Sequence, residues 1–500
     1  MKEYIFMILS KSEYMMYLKH PAWLWVKKHA KDLIPPVSPE LQARFDEGNK
    51  FEPYAEALFP DLIRLGFSDF ESYLNLPFET QQAWDDGATV VAQGRYESGS
   101  ITCISDVVRK DGSQYILTEV KSSTRKKDEH IYDLAFQRVV LEASGFPIKK
   151  CEIGHVNSSY VRQGDIDPRE LVSFTDATED VQKKLESTKV RIKQALDIAN
   201  SPNIPDIAPE LTRLGAYQDW MEIRLQLDPP LPENSIHFLP SMNAKIATKL
   251  SENNIKFIDD ITDRALFNKN TQKYLRAVDH GTRTVDKTAL NLFLNKIKFP
   301  VYYFDYETSG GFLPIWDGTR PYQQVPFQYS LHIQKEQGSE IEHKEYLHRN
   351  TENPMPKLLE ALKKDVGDEG TILSWHASFE IQQNEAMAEM YPDYASFLNN
   401  MNKRMIDLKE PFADETVSDP GFKGSASIKD VLPVFKPDLS YSDLDIQKGD
   451  AASRLWKEVT IEKPNSSNGN KVYSDLIDYC KRDTWAMVEI HRELEKMVNQ

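Results

Sequence analysis

The apolar run Val301-Tyr302-Tyr303-Phe304 continues into Asp305-Tyr306-Glu307-Thr308, so a segment patterned as a buried strand carries two acids at alternate positions. A period of two puts Asp305 and Glu307 on one face of that strand. The plainer alternative is an edge strand whose acids face water. Further on, Thr371-Ile372-Leu373-Ser374 reads as a second apolar strand, and the residues through Glu380 as the start of a helix that carries another acid. Near the C-terminus Tyr479 and Asp483, four residues apart, share one face of a helix that runs on through Trp485, Met487 and Ile490.

The N-terminal half has its own pattern. Tyr4-Ile5-Phe6-Met7-Ile8-Leu9 is an apolar run, too short for a signal sequence or a membrane span, that reads as a strand or helix entry. Ser10 is placed to cap a helix, Glu13 completes a capping box, and that one helix is expected to continue through Tyr17, Leu18, Trp23, Leu24 and Trp25. Residues 104–108 and 115–121 read as the strands of a hairpin, with 109–113 as its Asp-Gly turn. Glu119 and Lys121 then share a face, Val120 points to the core, and Asp106 lies across the hairpin. A helix containing Tyr132 to Gln137 follows. Residues 176–200 form one long amphipathic helix, broken by Ser201-Pro202, and Pro229, Pro230 and Pro232 mark a linker. Residues 244–263 read as a helix, an Asn253-Asn254-Ile255 turn and a short following segment. This resembles half of a helix-hairpin-helix, with asparagines where the duplex-binding form has glycines, and a plain helical spacer is expected.

A chain of 500 residues is too long for a single core and implies two or three domains, for which 40% hydrophobic residues is ample. A net charge of −16 excludes a protein that coats nucleic acid by charge alone, but not one whose clustered acids are neutralised by metal. Three widely spaced cysteines, Cys103, Cys151 and Cys480, make no metal-binding pattern and set a reduced, cytoplasmic compartment as the expectation. No membrane partner, internal repeat or low-complexity tract is indicated.

Chemistry enters with the acids. Two buried carboxylates on one face repel, at a cost of several kcal/mol, unless a cation joins them, and hard oxygen ligands favour Mg²⁺ or Mn²⁺. Asp-x-Glu on a strand, a middle acid after a strand and a terminal Tyr-x-x-x-Asp resemble the three motifs of DnaQ-like (DEDD) 3′–5′ exonucleases. The resemblance covers residues 298–500 and implies an RNase H-like fold with Asp305, Glu307, Glu380 and Asp483 as metal ligands. It gives Tyr479 the task of orienting the attacking water. Where that family has Asn and Asp in its middle motif, this chain has His376, a candidate nucleic-acid contact, and Glu380. Asp407 is either a further supporting acid or a helix-capping residue.

The hairpin resembles the PD-(D/E)XK motif in the form it takes in RecB-like nucleases, a restriction-endonuclease-like fold over residues 1–228, with 229–297 as a helical connector. The resemblance makes Asp106 and Glu119 metal ligands, Lys121 the group that holds or polarises water, and Gln137 the glutamine of the downstream helix, followed by Leu141 where a tyrosine is usual. Glu52 is the choice for the upstream acid, with Glu56 its rival, and the basic run Arg125-Lys126-Lys127 is expected to contact nucleic acid. The order of parts resembles bacterial two-nuclease proteins whose C-terminal domain was long catalogued as of unknown function. Their N-terminal halves are similar to CRISPR-associated RecB-like exonucleases. Those relatives hold an iron–sulfur cluster through one early cysteine and three later ones. Here His20 stands at the early position and residues 217–242 contain no cysteine, so no cluster is expected, and Trp23, Trp25 and Trp220 are expected to hold those helices by packing. The implied function is a Mg²⁺- or Mn²⁺-dependent nuclease with two sites acting on DNA or RNA. The alternative is a nucleic-acid-binding or assembly protein in repair, CRISPR or antiviral defence with one inactive nuclease domain.

Overall fold

The computed structural model describes residues 7–499, which fall into two units, Met1–Leu266 and Phe267–Gln500, each mixed α/β with its own main sheet. Residues 229–266 go with the first unit and 267–297 with the second. No described helix is long and apolar enough to cross a membrane.

In the first unit, β1 (Leu9–Ser10), β2 (Leu62–Arg64), β3 (Val90–Ser98), β4 (Ile101–Asp111), β5 (Gln114–Lys121), β6 (Ile148–Val156) and β7 (Val172–Asp176) form one sheet. Its order is β2-β3-β4-β5-β6-β7, with β1 parallel to the start of β4. The hairpin expected from the sequence is β4–β5, but its turn is tighter than residues 109–113. Arg109 and Lys110 stay in the ladder opposite Ile116 and Tyr115, and only Gly112 and Ser113 lie between the last pair, Asp111 and Gln114. Gly112 takes the positive φ, +66°, that two-residue loops of this kind require. β5 and β6 run parallel, so the chain crosses over through the helix Asp128–Ala143, which buries Leu134, Phe136, Val140 and Leu141 in a core with Leu117, Cys151 and Ile153. The amphipathic helix Thr178–Asn200 adds Val181, Leu185 and Ile192 to that core.

The single N-terminal helix expected through Trp25 is two helices, Lys11–Lys19 and Pro21–His29. His20 is extended, with φ −159° and ψ 130°, and Pro21 has no N–H to continue the first helix but opens the second readily. The Ser10–Glu13 capping box forms as the spacing predicts. Of the apolar run before it, residues 4–6 lie outside the described residues. His20 is fully buried and stacks on Trp220, ring centroids 3.8 Å apart. Its Nδ1 accepts from the Ala22 N–H at 3.1 Å, so Nε2 carries the proton and donates to the Ala208 carbonyl at 3.0 Å. Trp23 and Trp25 pack against the same cluster, built on Ala22, Val26, Trp220 and Ile223. In the connector, the helix Ala244–Glu252 ends in a turn with Asn254 at φ +56°.

The second unit is organised by a five-stranded sheet of β9 (Val301–Ser309), β10 (Val325–Gln334), β11 (Ile341–Leu347), β12 (Thr371–Ser374) and β13 (Met405–Asp407), in the order β11-β10-β9-β12-β13. A short ladder pairs β8 (Thr284–Val285) with β14 (Val417–Ser418). β9 is central, antiparallel to β10 and parallel to β12, which excludes the edge-strand alternative. Tyr302, Phe304 and Tyr306 join a core with Leu358, Leu359 and Leu362 of the helix Met355–Asp365. Val301 and Tyr303 join a second core with Leu476, Met487 and Ile490 of the helix Gly469–Asn499. Asp305 and Glu307 continue the Val301–Tyr303 face by the period of two, and so point toward that long helix. Gly424, at φ +72°, passes so close to Asn270 that a Cβ would sit 2.2 Å from its carbonyl oxygen. Only glycine fits the turn that leads to Ser427, the cap of the helix Ile428–Phe435.

Candidate functional site

Four acids from three elements lie in one another's electrostatic field in the second unit. β9 supplies Asp305 and Glu307, the first turn of the helix Ser378–Met390 supplies Glu380, and the helix Gly469–Asn499 supplies Asp483. Burial, followed by the charges of Asp483, Glu380 and Glu307, pushes the Asp305 carboxyl well above the usual carboxylate range. Glu307 is raised well above it too, by burial and then Asp483. Burial also pushes Glu380 up to about 8 and Asp483 up to about 6, the latter held back by a hydrogen bond from Tyr441 and by the Lys429 charge. These carboxyls resist ionising together because each lies in the field of the others. Glu380 Oε2 is buried without a hydrogen-bond partner.

Tyr479 sits one helical turn before Asp483, 3% exposed, and burial and the surrounding acids keep its phenol protonated. Lys429 Nζ donates to Tyr479 Oη at 3.1 Å and to the Gln447 carbonyl at 2.6 Å. Tyr441 Oη donates to Asp483 Oδ1 at 2.5 Å. The helix Gly449–Lys457 begins against the cluster, where a Cβ on Gly449 would lie 3.8 Å from Glu307 Oε2. Ligand atoms of Asp305, Glu307 and Cys480 all lie within 4.8 Å of one another. His376 is exposed at φ +74°, with its backbone N–H donating to Asp407 Oδ1 at 2.9 Å. Asp407 also accepts from the Lys409 N–H at 3.0 Å, so it holds the loop that leads to Glu380.

A second cluster lies in the first unit. Lys121 Nζ is 2.5 Å from Glu119 Oε1 and 3.3 Å from Asp133 Oδ2. Gln137 Nε2 donates to Glu119 Oε2 at 2.5 Å and to Asp133 Oδ1 at 2.9 Å. Lys11, the first residue of its helix, places Nζ 3.1 Å from Glu119 Oε1 and 3.6 Å from Asp133. Asp106 Oδ2 accepts the Val120 N–H at 2.7 Å, one step beyond the last pair of the β4–β5 ladder, Val107 with Thr118. Burial would raise Glu119, but the Lys11 and Lys121 ammonium groups hold it well below the usual carboxylate range. Asp106, by contrast, is pushed up to about 7 by burial and the Glu119 charge.

Of the two upstream candidates, Glu52 feels the Glu119 charge and is raised above its ordinary value by burial, while accepting from Gln93 at 3.1 Å. Glu56 is paired with Arg64. In the basic run, Lys126 pairs with Asp180 at 2.6 Å, whereas Arg125 and Lys127 are exposed.

Lys11, Asp133, Lys429, Tyr441 and Cys480 are members of these clusters to which the sequence motifs gave no role. Asp133 had a signal, four residues before Gln137 on one helix face. Lys11 had none, standing 108 residues before Glu119.

Residues 302–427 match a family model described as a domain of unknown function, DUF2779. The span includes Asp305, Glu307 and Glu380 and ends before Lys429 and Asp483. The chain is 25% identical over 226 residues to "Uncharacterized protein MG366" of Mycoplasma genitalium, covering 41% of this chain and 33% of that protein. It is 24% identical over 251 residues to "Uncharacterized protein UU173" of Ureaplasma parvum, covering 46% and 36%. The matched stretches thus span about a third of these relatives' length.

Proposed function

We infer that the chain is a divalent-metal-dependent nuclease with two phosphodiester-cleaving sites, acting on DNA or RNA, the C-terminal one removing nucleotides from 3′ ends. The observation that carries this reading is the convergence of Asp305, Glu307, Glu380 and Asp483 on one buried place with Lys429 as the nearby ammonium. An Asp-x-Glu central strand under a helix bearing Tyr-x-x-x-Asp supports an RNase H-like, DnaQ-type assignment for residues 298–500. The Asp106–Glu119–Lys121 hairpin with Gln137 on the crossover helix supports a RecB-like, PD-(D/E)XK assignment for residues 1–228.

The acids offer oxygen donors suited to Mg²⁺ or Mn²⁺, with Asp305 and Glu307 close enough to share an ion and the orphaned Glu380 Oε2 free to ligate. A divalent ion held there supplies positive charge for the phosphate and lowers the pKa of water. The protein's own groups do the rest. Tyr479, protonated and accepting from Lys429, has its hydroxyl hydrogen free to donate toward Asp483 or an incoming oxygen. Lys121 and Gln137 fix the Glu119 carboxylate in the first unit from two sides.

A second reading, in which the first unit binds nucleic acid without cutting it, is favoured by one observation: Glu119 is already neutralised by Lys11 and Lys121. Degradation of end-labelled single-stranded and duplex DNA and RNA in Mn²⁺, by the wild type and by Asp305→Ala and Glu119→Ala, separates the two. Loss in both variants supports two active sites, and loss only in Asp305→Ala supports the second reading. Unchanged degradation in both variants overturns the nuclease assignment.

A further inference from the structure

Cys480 lies between two residues of the C-terminal motif, Tyr479 and Asp483, yet its side chain has no place in an all-oxygen site. It is fully buried on a helix, so its position is fixed, and its Sγ lies within 4.8 Å of ligand oxygens of both Asp305 and Glu307. Donor atoms around a tetrahedral ion with bonds of 2.0–2.3 Å stand about 3.5 Å apart, so small side-chain rotations bring all three to one ion. Glu307 is only 7% exposed, and beside this group Glu380, 2% exposed and within the field of Asp305, has an Oε2 buried with no hydrogen-bond partner. A buried carboxylate left without a donor is what a cation site presents. Among the described residues this is the one group of three or more His, Cys, Asp or Glu side chains so arranged. Cys103 and Cys151, also buried, belong to no such group among the described residues.

We propose that Cys480 adds a sulfur ligand to the Asp305–Glu307 pair, making a mixed oxygen–sulfur site for a thiophilic divalent ion of the zinc or cadmium class. The site shares its acids with the hydrolytic centre proposed above, and only its effect on cleavage rests on that reading. The thiolate is the ligating form, so binding exchanges one thiol proton, released to solvent, for the sulfur–metal bond. A thiolate ligand favours zinc over magnesium, and an ion held by Cys480, Asp305 and Glu307 occupies the two acids that a magnesium or manganese ion would use. Zinc is accordingly an inhibitor at the place where magnesium or manganese supports turnover.

The test is titration of the full-length protein with Cd²⁺ in the absence of nucleic acid, reading the ultraviolet sulfur-to-cadmium charge-transfer band. The wild type, Cys103→Ser and Cys151→Ser should each show the band at one ion per chain, and Cys480→Ser should lose it. Asp305→Ala keeps the thiol and should weaken Cd²⁺ binding by about tenfold or more, which tests the site without altering the cysteine. No band in the wild type, or a band that survives in Cys480→Ser, overturns the proposal. In Mn²⁺-supported cleavage, Cys480→Ser should need about tenfold more Zn²⁺ than the wild type for the same inhibition. If the cadmium band follows this pattern while no protein cleaves, the metal site stands and the nuclease reading falls. Cleavage without the band gives the converse.

Discussion

Lys429 Nζ donates to Tyr479 Oη across 3.1 Å, joining the helix Ile428–Phe435 to the C-terminal helix at the edge of four acids. Because the phenol oxygen accepts this bond, its own hydrogen is directed elsewhere. Lys429→Met should therefore lower C-terminal exonuclease turnover by about 10- to 100-fold, and Tyr479→Phe by a similar factor. The double variant should be little worse than either single one, since both act through one hydroxyl. Turnover of 3′-labelled single strands by the three variants checks this, and full additivity would separate the two residues.

The acid cluster stores repulsion that a cation relieves. In EDTA, Asp305→Asn should stabilise the protein by about 1 kcal/mol or more, because burial and the neighbouring Asp483, Glu380 and Glu307 disfavour the ionised form of Asp305, which asparagine does not have. Adding Mn²⁺ should raise the melting temperature of the wild type and do so much less for Asp305→Asn. Thermal melts of both proteins with and without Mn²⁺ decide it, and equal metal responses would count against a shared ion.

In the first unit Lys11 competes for the carboxylate that a metal would use. Lys11→Met should tighten Mn²⁺ binding at the Glu119 site by about tenfold, since Glu119 then keeps one ammonium partner in place of two. Titration by calorimetry in an Asp305→Ala background isolates this site. Weaker binding in Lys11→Met would mean that the lysine supports the site.

His20 sets a pH dependence with a definite sign. Burial lowers its folded-state pKa to about 4, against an ordinary value near 6.5, and its Nδ1 is committed to accepting the Ala22 N–H. Between these values the unfolded chain binds the extra proton, so stability is fully present above pH 6.5 and falls as the pH drops toward 4. The loss attributable to His20 should reach about 3 kcal/mol. Urea unfolding followed by tryptophan fluorescence should show a shallower loss over this range in His20→Gln, with Trp220, stacked on the ring, as a local reporter.

The sequence showed what depends on period and spacing. Asp305 and Glu307 share a face because two residues separate them, and Tyr479 and Asp483 because four do; the capping box of Ser10 and Glu13 is equally local. The break at His20 was missed: Pro21 cannot extend a helix that precedes it, but the apolar pattern running through Trp25 outweighed that signal. What spacing could not reveal are partners from distant elements. Lys429 reaches Tyr479 over 50 residues, Tyr441 reaches Asp483 over 42, and Lys11 reaches Glu119 over 108. Gln447 offers a backbone carbonyl to Lys429, which no side-chain motif can announce.

The ladder of β4 and β5 also limits how this chain can change in length. Asp111 faces Gln114 at the loop, and each step back along the ladder adds one pair until Val107 meets Thr118, next to the acids. One residue gained between Gln114 and Glu119 would turn the alternation over, burying Lys121 and presenting Val120 to the cleft. Length variation is therefore tolerable at Gly112 and Ser113, outside the count, and ruinous a few positions later. The hairpin works as a fixed ruler for one carboxylate.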